Sequence, residues 1–319
     1  MDTSLILPPQ PDRRWTIAKQ LGIDTAVVRF WGVEEPWWDF DTLLATRNRF
    51  ADHGFSLDVV EDRPPMTKTV LGREGRDAEI ANVEELLRNM GRLDIDTYCW
   101  VWTEKPLGVL RTSDSVPDRG GSLQSGYDHA WSERGPTHEA AAVTEAELWE
   151  NLEYFLDRVV PVAEEAGVNL ALHPDDPPIS PVRGVPRLVT SVENYERILG
   201  MHDSPRHGVT FCQGNFAAMG ADIPAAIRRL GERIHFVHFR DVEGTAESFV
   251  ETWHDDGPTD MRAAVDAYRE VGFEGPVRPD HVARMVGEEG REETMEGYTD
   301  MGRLFAVGYI EGLLAERRK

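Results

Sequence analysis

The feature that most constrains this chain is an apolar run that ends in a histidine. Val168 to Leu172 has the length and composition of a buried strand, and His173-Pro174-Asp175-Asp176-Pro177-Pro178 then stops any continuation. A buried strand that presents chemistry from its carboxyl end is the building unit of an α/β barrel. The pattern returns three times. Val209-Thr210-Phe211 ends in Cys212, Phe236-Val237 ends in His238, and Pro276-Val277-Arg278 runs into Asp280. Four metal-competent side chains at four strand ends are hard to explain as packing alone, and in a barrel those ends converge on one mouth.

The rest of the chain fits the same plan. Strands are expected at Asp24–Phe30, Phe55–Val60 and Ile95–Val101, then at the four runs above. Phe249–Trp253 is read as the seventh strand, and the Asp280 strand as the eighth. Helical periodicity falls between them at Trp38–Ala51, Asp77–Met90 (stopped by Gly91), Thr144–Ala166, Ser191–Leu199, Ile223–Leu230, Met261–Val271 and Tyr298–Arg317. Thr144 and Glu147 have capping-box spacing. Eight strands alternating with helices predict a parallel sheet and a (β/α)8 barrel, with residues 1–319 as one domain. Residues 103–143 break the rhythm after the third expected strand. They are rich in Gly, Ser, Asp and Pro and too long for an ordinary connection. A lid over the mouth or an oligomer contact is expected there, with Tyr127 and Trp131 favouring order.

Charge narrows the partners. The 319 residues carry a net charge of −23, which opposes binding to nucleic acid or anionic lipid. No run of about 18 apolar residues is present, and the first residues lack a basic, apolar leader, so a cytoplasmic protein is expected. The two cysteines, Cys99 and Cys212, cannot build a disulfide framework, and Cys99 reads as a buried inert thiol. Only four of the 34 basic residues are lysine: Lys19, Lys68, Lys105 and Lys319. Carboxylate excess with so little lysine predicts adaptation to a salt-rich cytoplasm, where screening over roughly 3 Å at 1 M relieves self-repulsion. Unfolding midpoints are then expected to rise steeply from low to molar KCl. A flat dependence would leave arginine-rich coding as the better explanation.

Two imidazoles, a thiolate and a carboxylate form a ligand set suited to a divalent transition metal. Several further blocks surround them: Cys212-Gln213-Gly214-Asn215-Phe216, Val237-His238-Phe239-Arg240-Asp241-Val242, His254-Asp255-Asp256-Gly257-Pro258 and Arg278-Pro279-Asp280-His281. Together with Ala171-Leu172-His173-Pro174-Asp175-Asp176-Pro177-Pro178 they resemble the signature blocks of the D-mannonate dehydratase family, in family order from about residue 165 to 300. The resemblance implies a TIM-barrel lyase that converts D-mannonate to 2-keto-3-deoxy-D-gluconate and water, usually with Mn²⁺ or Fe²⁺. It implies His173, Cys212, His238 and Asp280 as metal ligands, and His281 and Tyr298 as the acid/base pair, in an order that remains open. Arg240, His254 and Asn215 are the candidate substrate-binding residues.

The chain also departs from the family pattern. Val282-Ala283 follows Asp280-His281 where the family usually has glycine, and Arg29-Phe30-Trp31-Gly32 stands where the family's first strand end leads to a His-His pair. The metal half of the pattern is retained and the substrate-reading half altered. Two other readings remain open: a metal-dependent sugar isomerase or epimerase on the same barrel, and a non-catalytic sugar-acid binding protein. A small-molecule sugar acid is the expected partner and a homo-oligomer the expected assembly.

Overall fold

Eight parallel strands close on themselves, each hydrogen-bonded to its neighbours around the ring. In chain order they are Asp2–Leu7, Thr25–Val28, Ser56–Val60, Thr97–Trp100, Asn169–Leu172, His207–Cys212, Ile234–Phe239 and Pro276–Pro279. The computed structural model describes residues 1–103, 107, 109–288 and 297–315.

Strand geometry sets the inside and the outside. Successive side chains point to opposite faces, so a strand buried on both sides splits its apolar residues between two cores. Ile6, Val27, Val59, Cys99, Ala171 and Phe236 pack together as the barrel's inner layer. Their chain neighbours, among them Leu5, Leu7, Val28, Val60, Tyr98, Leu170, Leu172 and Val237, pack in a second cluster with helix residues such as Leu43, Phe50, Val83, Leu152 and Val159.

The long helix Glu145–Ala166 opens on the expected capping box, with Thr144 and Glu147 bonded reciprocally, and closes at Gly167 in the left-handed region. Gly91 does not stop its helix, which runs Arg76–Arg92. A Cβ at Gly91 would lie 2.3 Å from the carbonyl oxygen of Ala166, so this glycine permits a close helix–helix approach.

The barrel has the expected eight strands, but one of them is not an expected segment, and one expected segment is not in the barrel. The first barrel strand is Asp2–Leu7, whose polar start Asp2-Thr3-Ser4 hides it. The apolar segment at 249–253 is not a barrel strand. Ser248–Glu251 pairs antiparallel with Val242–Thr245 and with Leu123–Asp128. Alternation identifies a strand and says nothing of which sheet it joins. His173, Cys212, His238 and Asp280 therefore lie at or just beyond the carboxyl ends of barrel strands five, six, seven and eight, and the insertion follows the fourth strand, not the third.

The insertion is largely built structure. Its strands Ser113–Pro117 and Leu123–Asp128 join the two strands after the seventh barrel strand in one four-stranded antiparallel sheet. Tyr127 is buried there against Phe249, with ring centroids 5.8 Å apart. Trp131 is 60% exposed under the guanidinium of Arg134. Residues 104–106 and 108 of the expected insertion lie outside the described residues, as do 316 and 317 of the expected last helix. That helix is Asp300–Ala315, so Tyr298 sits in the segment before it.

Candidate active site

The alternation that builds the inner layer also builds the site. Two residues beyond the inward Val27, Val59, Ala171 and Phe236, the same faces carry Arg29, Glu61, His173 and His238. Cys212 stands opposite His238 in the ladder, and Arg278 stands opposite it on the other side. Asp280 is the next residue to turn inward. An apolar ring thus carries a polar ring directly above it. Over the polar ring is a cavity of about 630 Å³, lined by Arg29, Glu61, Arg63, Cys99, Trp100, Arg111, Ser125, His173, Asp176, His238, Arg278, Asp280, His281 and Tyr298 among others.

Ligand atoms of His173, Cys212 and His238 lie within 4.8 Å of one another. His173 donates through Nδ1 to the carbonyl of Pro174 at 2.7 Å, which leaves Nε2 with a free lone pair. Asp280 Oδ2 is 3.5 Å from His238 Nδ1 and 3.9 Å from Cys212 Sγ. His238 is buried, and its Nε2 has no hydrogen-bond partner although Glu61 is 3.4 Å away. An unpartnered buried nitrogen, a thiol and a carboxylate in one place fit a divalent cation. Glu61, Cys99 and His238 form a second convergent group sharing the same histidine.

The two cysteines behave differently because of one arginine. Burial raises the Cys99 thiol, so it stays protonated, accepting a hydrogen bond from Thr210 at 3.2 Å. Burial also raises Cys212, but the Arg240 guanidinium, with Nε 3.2 Å from the sulfur, and the imidazoles of His173 and His238 outweigh it. The Cys212 thiol falls to about 6. At neutral pH Cys212 is a thiolate, the form that binds metal.

Arg240 is fully buried and ties four stretches of chain together. It bonds Asp176 at 2.9 Å, Glu251 at 2.6 Å and Asn215, and lies 3.1 Å from Asp280. A Cβ at Gly214 would come within 2.9 Å of the Arg240 guanidinium, which accounts for the glycine after Cys212-Gln213. Arg111, from the insertion, bonds Asp176 through both terminal nitrogens and Glu251 at 2.6 Å. Arg240→Met is expected to destabilise the fold by about 3 kcal/mol, because buried carboxylates lose half of their compensation. Equilibrium denaturation checks this, and a midpoint within error of the parent would contradict it.

His281 holds a left-handed backbone, φ +40°, which is uncommon for a histidine and aims its ring into the cavity beside Asp280. Burial keeps the imidazole neutral against the pull of Glu251, 3.8 Å from Nδ1. Its Nδ1 is buried without a hydrogen-bond partner among the described residues. The Tyr298 ring lies 5.5 Å away, and its hydroxyl donates to Asp280 Oδ1 at 2.5 Å. Burial raises the Tyr298 hydroxyl, so it keeps its proton. Gly297, at φ +76°, is required here because a Cβ would sit 2.8 Å from His281 Nδ1.

The expected ligands and acid/base pair are therefore brought together, while the expected substrate-binding residues lie elsewhere. Arg240 and Asn215 are buried beneath the cavity, with Asn215 bonded to Asp175 and Arg240. His254 is buried against Phe239, and burial lowers it to about 4. None of the three lines the cavity. Sequence reasoning missed Arg29, Glu61, Arg63, Arg111, Asp176 and Arg278 at the cavity wall. Arg29 and Glu61 are legible in principle as the residues after apolar runs, two positions beyond an inward valine.

The sequence profile of the D-mannonate dehydratase (UxuA) family matches residues 17–141 and 137–319. The chain is 36% identical over 304 residues to mannonate dehydratase 2 of Halalkalibacterium halodurans, covering 86% of this chain and 87% of that one. It is 34% identical over 315 residues to the mannonate dehydratase of Thermotoga maritima, covering 86% and 85%. Its structure is similar to mannonate dehydratase from Streptococcus suis serotype 2, with a TM-score of 0.89, 30% identity, and coverage of 98% and 93%. A D-psicose 3-epimerase from Clostridium cellulolyticum H10 shares the fold at a TM-score of 0.64 and 15% identity, covering 98% of each chain.

Proposed function

The chain belongs to the D-mannonate dehydratase family, and on that premise we propose how its own residues dehydrate D-mannonate to 2-keto-3-deoxy-D-gluconate. It is a hydro-lyase, and it is metal-dependent. The observation that carries the residue assignments is the convergence of His173, Cys212 and His238 at the base of the cavity that His281 and Tyr298 also line.

A divalent cation held by His173, Cys212, His238 and Asp280 would supply positive charge against the negative charge that develops on the substrate carboxylate as C2 loses its proton. The mixed imidazole, thiolate and carboxylate set suits Mn²⁺ or Fe²⁺. His281 is the base that takes the C2 proton, since burial keeps it neutral and its Nδ1 has no hydrogen-bond partner among the described residues. Tyr298 is the acid that protonates the departing C3 hydroxyl, since burial keeps its proton in place until it is needed. Arg278 bonds Glu61 at 2.8 Å through two nitrogens and Asp280 at 2.8 Å, and so fixes the carboxylate beside the reacting carbons. Arg240 holds Cys212 as thiolate and anchors Asp176 and Glu251; it acts through these groups and does not touch substrate.

The insertion serves as a lid. Val109, Arg111 and Ser125 at the cavity wall support this reading, with Asp176, the carboxylate beyond the fifth barrel strand that pairs with Arg111. Exposed Trp131 suits a subunit contact in a homo-oligomer, which sedimentation would test. The acidic, lysine-poor surface fits a salt-rich cytoplasm and disfavours nucleic-acid partners. Among the described residues no helix is long and apolar enough to cross a membrane.

The test is the product spectrum from a panel of aldonates with Mn²⁺. A 2-keto-3-deoxy acid with loss of one water from D-mannonate is expected. An isomer of unchanged mass would overturn the assignment in favour of the epimerase reading, and absence of turnover with every aldonate would favour a binding protein. The epimerase structures share this fold alone, which gives that reading no separate support.

A further inference from the structure

One side chain beside the base has a part that the mechanism above leaves unused. His281 lines the cavity, yet its Nδ1 is buried and has no hydrogen-bond partner among the described residues. Gly297 packs against that edge of the ring, where a Cβ would sit 2.8 Å from Nδ1. The ring therefore meets the cavity by its other edge, which carries Nε2. Glu251 stands 3.8 Å from Nδ1 and is buried too. Its Oε1 accepts hydrogen bonds at 2.6 Å from both Arg111 and Arg240, which fix the carboxylate in place. Its Oε2 has no hydrogen-bond partner among the described residues. A buried ring nitrogen and a buried carboxylate oxygen on neighbouring side chains, each without a partner, are costly unless they serve one another.

A neutral imidazole carries one proton on one of its two nitrogens, and the partner of one nitrogen decides what the other can do. We infer that Glu251 is the positioning residue of the base: its carboxylate accepts the Nδ1–H of His281 and so turns the Nε2 lone pair toward C2 of the substrate. The present 3.8 Å is longer than a hydrogen bond, and such contacts in catalytic sites tighten once substrate is bound. The C2 proton passes to Nε2, its electron pair stays on the substrate, and Glu251 takes no proton. Glu251 does not line the cavity, so it acts through His281 and does not touch substrate. The two arginines do not depend on it alone. Asp176 bonds Arg111 through two nitrogens and Arg240 at 2.9 Å. The strand Ser248–Glu251, outside the barrel, thus ends with its last side chain beside the base. This inference rests on His281 as the base.

The test is a double-mutant cycle on the Mn²⁺-loaded full chain, with Glu251→Gln, His281→Asn and the two combined, each assayed on D-mannonate. Glu251→Gln keeps the size of the side chain and removes its charge. It is expected to lower kcat by about tenfold or more, with KM within about twofold of the parent and metal content unchanged. In the His281→Asn background the same substitution should change the residual rate by less than about twofold, because nothing is left for it to position. A merely structural role would lower the rate alike in both backgrounds. Parental kcat in Glu251→Gln, or the same fold loss with and without His281, would overturn the inference. If Glu251→Gln does not fold, Glu251→Asp carries the same cycle with the same two outcomes, since it keeps a charge for Arg111 and Arg240 and draws it back from His281. Parental turnover by His281→Asn alone would instead refute the base assignment, and the role of Glu251 with it.

Discussion

His281→Asn is expected to cut turnover of D-mannonate by about 10²-fold or more, equivalent to about 2.7 kcal/mol of transition-state stabilisation, while the protein keeps its metal. Asparagine keeps a polar group of similar reach and tolerates a left-handed backbone, so the fold around φ +40° should survive. Tyr298→Phe is expected to lose a similar factor by a different route. Its ring packing against His281 remains, and only the hydroxyl that donates to Asp280 is lost. The two variants separate in D₂O. If His281 is the base, His281→Asn loses exchange of deuterium into C2, whereas Tyr298→Phe still exchanges C2 and fails to expel the C3 hydroxyl. Near-parental turnover by both variants would sink the assignment, and the reverse exchange pattern would swap the two roles.

Single alanine variants at Cys212 or His238 should weaken metal binding by about 100-fold or more, and activity should follow metal content. Thermal stability provides a readout that does not depend on turnover. A cation that binds only the folded state stabilises it by about 2.7 kcal/mol when present at 100 times its Kd, so Mn²⁺ should raise the melting temperature of the parent and barely move the variants. His238→Ala tests the site most sharply, because its Nε2 is buried without a hydrogen-bond partner and the residue belongs to both convergent groups. Full metal content in both variants would show that the cation sits elsewhere.

Much of the site is legible in the order of the amino acids. Each of His173, Cys212 and His238 follows an apolar run, and a strand that must be buried can present such residues only at its end. Local pattern marks a strand end well. It cannot say which strand lies beside which, and for that reason it draws Phe249 into the barrel and passes over Asp2–Leu7. The same limit applies to Arg240, Asn215 and His254, which lie outside the cavity lining. All three sit in motif blocks beside the ligands, but whether a polar side chain faces a cavity or a buried carboxylate depends on contacts with distant segments, such as Asp176 and Glu251 for Arg240. Arg111 is out of reach for that reason too, since its partners are 65 and 140 residues away.

The stacking of a polar ring on an apolar one has a consequence for how such a chain can change. Because inward and outward positions alternate, removing one residue within a strand would swing its ligand out toward the helices and bring an outer apolar side chain into the mouth. Length changes inside the strands are therefore closed to it. Exchange of the side chain at a fixed inward position remains open, since the ring below, Val27 under Arg29 or Val59 under Glu61, continues to seal the barrel whatever stands above. A strand end that bonds to no other can be exchanged singly, whereas a bonded pair such as Glu61 and Arg278 has to change together.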